Sequence, residues 1–335
     1  MPEFYSKIIV IGASAGGLKA VAELISKFPQ NTSVAVFVVL HVSKQSMSSV
    51  IAQHIQKHTS LICAIPANGE PIKPGHLYIA PPDHHLMVKS NEIRIHDGPH
   101  ENRWRPSIDV LFRSAAVTFG TRAISIILTG LLDDGTSGMS AIKRSGGICI
   151  VQEPDEAEFS DMPINVLNNV DVDYRVPIAD MGYILADLLS KPATPEAPIP
   201  RDLMIEADIT ERMNVNIDSL TKIGQLSVFN CPDCGGGLWK INDDNVHRYR
   251  CHTGHVYTEK VLMQVQSEEL EETLWVAIRM LEERRNLLLT VSVHDKEAGF
   301  PDSATDKQER AEQVSMHIER LKAVLQVISL SEPND

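Results

Sequence analysis

Between residues 7 and 187, runs of β-branched residues alternate with stretches of helical periodicity, and few folds accept that alternation. Strand-like runs occupy 7–11, 34–42, 61–65, 76–80, 123–129 and 147–151. Helical patterns fill 18–27, 48–58, 108–119, 135–145 and 162–168. Parallel neighbours need a long crossover, and a helix supplies it. The spacing therefore predicts an α/β domain, a doubly wound and mostly parallel sheet with helices on both faces. One segment breaks the rhythm. In HHLMVKSNEIRIHDG two short alternating runs flank Ser90-Asn91, which predicts a β-hairpin at a sheet edge.

The remainder of the chain changes character. Residues 190–202, SKPATPEAPIPRD, are proline-rich with little to bury, so a linker is expected over 190–225. A Cys/His segment follows at 226–258, and residues 259–335 carry two long helical patterns around the charged break DKEAGFPDSATDK. Leu274, Ile278, Leu281 and Leu288 on one pattern match Val314, Ile318, Leu321, Leu325 and Ile328 on the other, as an antiparallel helical pair requires.

Charge narrows the function classes. The chain of 335 residues has a net charge of −13, which argues against a general nucleic-acid binder. Through residue 189 it holds 15 basic and 19 acidic residues, and beyond that 16 and 25, so most of the excess lies in the C-terminal part. No window approaches the ~18–20 apolar residues of a membrane span. The opening MPEFYSK lacks a secretory pattern, so a cytoplasmic protein that is not integral to a membrane is expected. Among five cysteines, Cys63 and Cys149 stand singly in apolar stretches and are expected to be small buried hydrophobes.

The stretch IIVIGASAGGLKAVAEL leaves a strand through Gly12-Ala13-Ser14-Ala15-Gly16 and enters a helix. A dinucleotide loop would want a bare glycine where Ser14 stands and an acidic residue where the second strand ends in Leu40-His41. The G-x-S-x-G pattern instead suits a sharp turn that exposes a hydroxyl at a strand tip. A serine needs a base, and the base an orienting acid. His41 ends the second strand, and Asp133-Asp134-Gly135 follows the strand AISIILTG, so all three arrive at one rim of the sheet. Each also has a plainer reading: a turn residue, a half-buried histidine, a helix N-cap.

Cys231, Cys234 and Cys251 cluster with His252 and His255: C-x2-C, sixteen residues, then Cys-His-x2-His. In a reducing compartment this pattern points to metal more than to disulfides. Three thiolates and one imidazole make a closed, structural type of zinc site. His255 is favoured over His252 as fourth ligand because C-x3-H opens the second turn more comfortably than an adjacent pair.

VIGASAGGLKAV (10–21), VLHVS (39–43), GEPIKPGHLYIAPPDHHL (69–86), RPSIDVLFRSAA (105–116), LTGLLDDGTSGM (128–139) and FSDMP (159–163) together closely resemble the catalytic domain of chemotaxis-type protein-glutamate methylesterases, the CheB family. The resemblance implies a catalytic domain over 1–189, with Ser14 as nucleophile, His41 as general base and Asp134 as orienting acid. It implies hydrolysis of glutamate γ-methyl esters, and of glutamine amides through the same acyl intermediate, with no cofactor for catalysis. Amides near Ala15 and Leu131 would form the oxyanion hole, and Arg105, Ser107 and Asp109 would position substrate. Leu131-Leu132 departs from the family's usual Met-Gly, and Ala15 from a frequent threonine. The match begins at residue 7, so a stand-alone form without the receiver domain is expected, and the Cys/His and helical extension resembles that of some stand-alone members. Expected partners are a methyl-accepting receptor or similar methylated protein, with a methyltransferase or sensor kinase beyond it. The competing reading is a non-enzymatic signalling adaptor that uses the same domain as a docking body.

Overall fold

The computed structural model describes residues 7–29, 32–43, 45, 47–195, 197–213, 217–242 and 246–331. The chain divides into two compact units, Met1–Val261 and Leu262–Asp335.

The first unit is built on β1 (Ile8–Ala13), β2 (Ala35–Leu40), β3 (Ile62–Ala64), β4 (His76–Ile79), β7 (Ala123–Ile127), β8 (Ile148–Gln152) and β9 (Tyr174–Val176). These form one sheet in the order β3-β4-β2-β1-β7-β8-β9, every pair parallel. All six residues of β1 are buried, and their pleat sorts them between two cores. Ile8 and Val10 join Phe112, Ile142 and Val166 on one face, while Ile9 and Ile11 join Val21, Leu24, Ile55 and Leu185 on the other. The first face is covered by α3 (Ile108–Phe119), α4 (Thr136–Arg144) and α5 (Asp161–Asn169), the second by α1 (Gly17–Ser26), α2 (Ser48–Gln56) and α6 (Ile178–Ser190). A mostly parallel sheet wound on both faces is what the strand–helix alternation required.

The hairpin differs in place. β5 (His85–Lys89) and β6 (Glu92–His96) pair antiparallel as a separate two-stranded sheet, not as an edge of the large one. Leu86, Val88 and Ile93 pack into the α3-side core, and the Ser114 hydroxyl of α3 accepts the Val88 N–H at 3.0 Å while donating to the Leu111 carbonyl at 2.8 Å. Short alternating runs reveal a hairpin, but not what covers its apolar face. Cys149 is fully buried as expected, whereas Cys63 sits half-buried on the short edge strand β3.

The stretch 190–225, read as a linker, holds two helices, α7 (Arg201–Arg212) and α8 (Ile217–Ile223). Leu203 enters the main core, and Glu206 is buried against arginines far away in the chain. Prolines conceal the first half of this segment, and a buried glutamate carries no apolar signal. Next comes a four-stranded antiparallel sheet of β10 (Gly224–Asn230), β11 (Gly237–Ile241), β12 (Arg248–Cys251) and β13 (Val256–Thr258).

The second unit consists of most of α9 (Glu259–Glu297) and α10 (Pro301–Ser331). Ile278, Val314, Ile318 and Leu325 form its seam, flanked by Leu274, Leu281, Leu288 and Leu321. Lys322 pairs with Glu282 at 3.4 Å, and the Ser292 hydroxyl donates to the Ala304 carbonyl at 2.7 Å, which fixes the antiparallel register. No described helix is long and apolar enough to cross a membrane.

Candidate active site

β2, β1 and β7 are adjacent, and their carboxyl ends meet at one rim. The ladder runs on past the strands. Ser14 N–H donates to the Thr129 carbonyl at 3.0 Å, and His41 N–H donates to the Ala13 carbonyl at 3.1 Å. Ser14 and His41 therefore leave neighbouring strands side by side. Behind Ser14 the chain turns through Gly16, whose φ of 72° lies in the left-handed region open to glycine. Gly130 faces the serine so closely that an added Cβ would stand 2.8 Å from Ser14 Cβ and 2.1 Å from Met162 Sδ. The LTG and FSDMP motifs meet here for that reason.

Of the two adjacent aspartates, Asp134 rather than Asp133 meets His41. Its Oδ2 accepts from His41 Nε2 at 2.9 Å and from the Ile108 N–H at 2.7 Å. Its Oδ1 accepts from the Ser107 hydroxyl at 2.9 Å and from Asn102 Nδ2 at 3.1 Å. Burial alone would raise this carboxyl, but the hydrogen bond and charge of His41, with the Ile108 and Asn102 donors, hold it below the ordinary range. Asp109 is pushed well above the ordinary range, by burial first and by the Asp134 charge second. Its Oδ1 accepts the N–H groups of Gly135 and Gly138 at 3.0 and 2.6 Å, which anchors the start of α4. Burial pushes Asp133 up to about 6, and its Oδ1 finds no partner among the described residues.

His41 is held on a second side. Its ring stacks on Trp104 with centroids 4.0 Å apart and planes 7° apart. Nε2 is taken by Asp134, while Nδ1 is buried with no partner among the described residues. With Nε2 protonated toward a carboxylate, Nδ1 is the nitrogen that carries a lone pair. Ser14 and His41 line one cleft of about 700 Å³ together with Leu18, Lys19, Leu40 and Ile51. Ser14 is half-exposed, and its hydroxyl makes no hydrogen bond among the described residues.

The N–H groups of Ala15 and Leu131 likewise donate to nothing among the described residues. Leu132 has a φ of 63°, the conformation a glycine would adopt without strain. It is held there by a hydrogen bond from its N–H to Asp161 Oδ2 at 3.4 Å and one from Asn165 Nδ2 to its carbonyl at 2.7 Å. Arg105 lies elsewhere. Its guanidinium donates to Asp83 Oδ1 at 2.8 and 2.9 Å and to the carbonyls of Asp97 and Gly98 at 2.7 and 3.0 Å, and it does not line the cleft. Ser107 and Asp109, expected to position substrate, contact Asp134 and its loop instead. Asn102, which meets Asp134, and Trp104, which stacks on His41, leave no mark in the sequence: a lone Asn or Trp in a loop carries no spacing signal.

In the four-stranded sheet Cys231, Cys234, Cys251 and His255 bring their ligand atoms within 4.8 Å of one another, all three cysteines as free thiols. Cys234 Sγ lies 3.7 Å from Cys251 Sγ, and His255 Nδ1 lies 3.6 Å from both Cys231 and Cys251 Sγ. A tetrahedral zinc with bonds of ~2.3 Å to sulfur and ~2.0–2.1 Å to nitrogen sets these edges at about 3.8 and about 3.6 Å. The group fits a metal ion of that kind. His252 is not part of it.

Residues 9–185 match the family model described as CheB methylesterase. The chain is 35% identical over 189 residues to a protein-glutamate methylesterase/protein-glutamine glutaminase of Salmonella typhimurium, covering 55% of this chain and 53% of that protein. With the protein of the same description from Yersinia pestis bv. Antiqua, identity is 38% over 161 residues, 47% of this chain and 46% of the other. The crystal structure of the Thermotoga maritima CheB methylesterase catalytic domain matches with a TM-score of 0.53 and 30% identity, over 55% of this chain and 98% of that one. The chain spans about half the length of the curated relatives it matches. By the span of the family model and the shared catalytic-domain fold, the chain belongs to the CheB methylesterase family.

Proposed function

We propose that this protein hydrolyses γ-methyl esters of glutamate side chains on a methyl-accepting receptor or similar methylated protein, with Ser14, His41 and Asp134 as the catalytic triad. The observation that carries this reading is the His41 imidazole: Nε2 is tied to a buried carboxylate at 2.9 Å, Nδ1 has no partner among the described residues, and the residue lines the same cleft as Ser14. A docking body has no need of a histidine held in one tautomer.

In the reaction, Ser14 Oγ attacks the ester carbonyl carbon and its proton passes to His41 Nδ1. Asp134 stabilises the imidazolium through Nε2–H. The carbonyl oxygen takes up negative charge, and the N–H groups of Ala15 and Leu131 serve as its donors. The intermediate collapses, His41 Nδ1 protonates the departing methoxide, and methanol leaves. Water, deprotonated by the same nitrogen, then cleaves the acyl-enzyme to free carboxylate and Ser14. A glutamine side chain would follow the same path with ammonia as leaving group. Arg105 braces the 97–105 loop in this scheme. The four-ligand Cys/His group holds zinc as a structural ion.

Methanol release from a radiolabelled methylated receptor fragment tests the assignment. The wild type is expected to release label and Ser14→Ala to release none above background; equal release from both would defeat the enzyme claim. Native mass spectrometry tests the metal, with one zinc per chain expected.

A further inference from the structure

We propose that the Cys/His module completes the catalytic site, and that metal occupancy of Cys231, Cys234, Cys251 and His255 sets the position of Asp134 through strand β13 and Asn102.

The connection is continuous in hydrogen bonds. Cys251 N–H donates to the His255 carbonyl at 3.0 Å, so two of the four ligands frame the turn between β12 and β13. His255 is followed directly by β13. That strand runs against residues 100–102: Val256 N–H donates to the His100 carbonyl at 3.3 Å, and Asn102 N–H donates to the Val256 carbonyl at 2.8 Å. Two residues on, Thr258 N–H donates to Asn102 Oδ1 at 3.0 Å. This bond fixes which way the Asn102 amide faces. Its Nδ2 is thereby turned to Asp134 Oδ1 at 3.1 Å and to Asp109 Oδ2 at 2.9 Å. Asp134 in turn holds His41. Asn102 is fully buried, and these three hydrogen bonds set the orientation of its amide.

The module is also clamped to the same body by a buried ion network. Arg248 and Arg250 of β12, Arg113 of α3, Glu101 and Glu206 of α7 have side chains no more than 2% exposed. Arg248 pairs with Glu206 at 2.6 Å, Arg250 with Glu101 at 2.7 Å, and Arg113 with Glu101 at 2.6 Å. Glu101 adjoins Asn102, so movement of β12 is felt at the positioning residue. Trp239 and Ile241 pack with Ile209, Leu220 and Ile223 of the α7–α8 segment, at a distance from the β12–β13 turn, so the ligand turns depend on the metal for their shape. Without metal, three thiols and an imidazole have no common partner, and the β12–β13 turn loses the restraint that sets Thr258 against Asn102. Asn102 acts here as a positioning residue; it touches Asp134 and no substrate. The kinetic consequence rests on the esterase reading above, while the structural consequence does not.

The test uses the full chain with one bound zinc, the same protein after removal of zinc by a chelator, Cys234→Ser, and Asn102→Ala. Hydrogen exchange followed by mass spectrometry reads the 99–110 and 130–136 peptides against β1 and β7 as internal references. Zinc removal and Cys234→Ser are each expected to speed exchange at least tenfold in those two peptides and to leave β1 and β7 unchanged. In methanol release kcat is expected to fall at least tenfold with KM within twofold. Asn102→Ala is expected to show the low kcat with zinc still bound, and no further drop on chelation. Absence of bound zinc, unchanged exchange in 99–110 and 130–136 after its removal, or loss of protection in β1 and β7 as well would each overturn the proposal. If zinc-loaded wild type releases no methanol, the esterase reading falls, and the exchange data still decide the relay.

Discussion

Replacing Asp134 by Asn changes one oxygen to an NH2 group in a cage made entirely of donors. Oδ2 receives His41 Nε2 and the Ile108 N–H, and Oδ1 receives the Ser107 hydroxyl and Asn102 Nδ2. The Asp109 N–H also reaches Oδ1, at 3.4 Å, so whichever way the new amide faces, its NH2 meets one partner that can adapt and at least one that cannot. Toward Ser107 and Asn102, the hydroxyl can rotate to accept, but the Asn102 amide is pinned by Thr258. Toward His41 and Ile108, the imidazole can change tautomer, but the backbone N–H is fixed. A buried donor left facing a donor costs about 1–3 kcal/mol, which is the expected loss in unfolding free energy. The rate suffers more. If His41 adapts, its proton moves to Nδ1, where the Ser14 proton should go; if it does not, the imidazolium has lost its counter-charge. A wrong tautomer in such a triad lowers kcat by roughly 10⁴, and a loss of 10³–10⁴ corresponds to about 4–5.5 kcal/mol of transition-state stabilisation. Methanol release under single-turnover conditions measures this directly, with Asp133→Asn as control. A kcat of Asp134→Asn within threefold of wild type would refute the orienting role, and so would an equal loss in Asp133→Asn.

Other consequences follow from single residues. At position 132 the usual order of small residues should invert: Leu132→Gly is expected to be more stable than Leu132→Ala by about 1 kcal/mol in urea unfolding, because only glycine accepts a φ of 63° without strain. Burial raises Asp133 to about 6, so the folded protein holds its proton more tightly than the unfolded chain. The penalty is absent below about pH 4, grows as pH rises through 6 and reaches up to about 3 kcal/mol. Asp133→Asn should match wild type at pH 4 and exceed it at pH 7 in chemical denaturation. Glu206→Ala removes a fully buried carboxylate that faces Arg248, Arg113 and Arg250 and is expected to cost about 3–5 kcal/mol in the same assay.

The parts legible in the sequence are those written as periodicity or as local spacing. β1 alternates between two cores, Ser14, His41 and Asp134 follow three neighbouring strands, and C-x2-C with C-x3-H brings four side chains together that could hold a metal. The α9–α10 seam follows the apolar positions that the helical pattern marked. What stayed hidden depends on pairs distant in the chain. Thr258 and Asn102 lie 156 residues apart, and Arg250 and Glu101 lie 149 apart. Glu206 sits on a helix whose inward face is partly ionic, so amphipathicity did not announce it. Arg105 shows the converse: a motif position is visible, but whether its guanidinium meets substrate or a neighbouring loop is decided by Asp83, Asp97 and Gly98.

The most direct measurement of the central claim is covalent capture of the nucleophile. The intact protein is treated with a fluorophosphonate, digested, and mapped by mass spectrometry. A single adduct is expected on Ser14, formed at least a hundredfold more slowly in His41→Ala and absent in Ser14→Ala. An adduct on another residue, or labelling of Ser14 at the same rate when His41 is removed, would contradict an activated serine at this rim of the sheet.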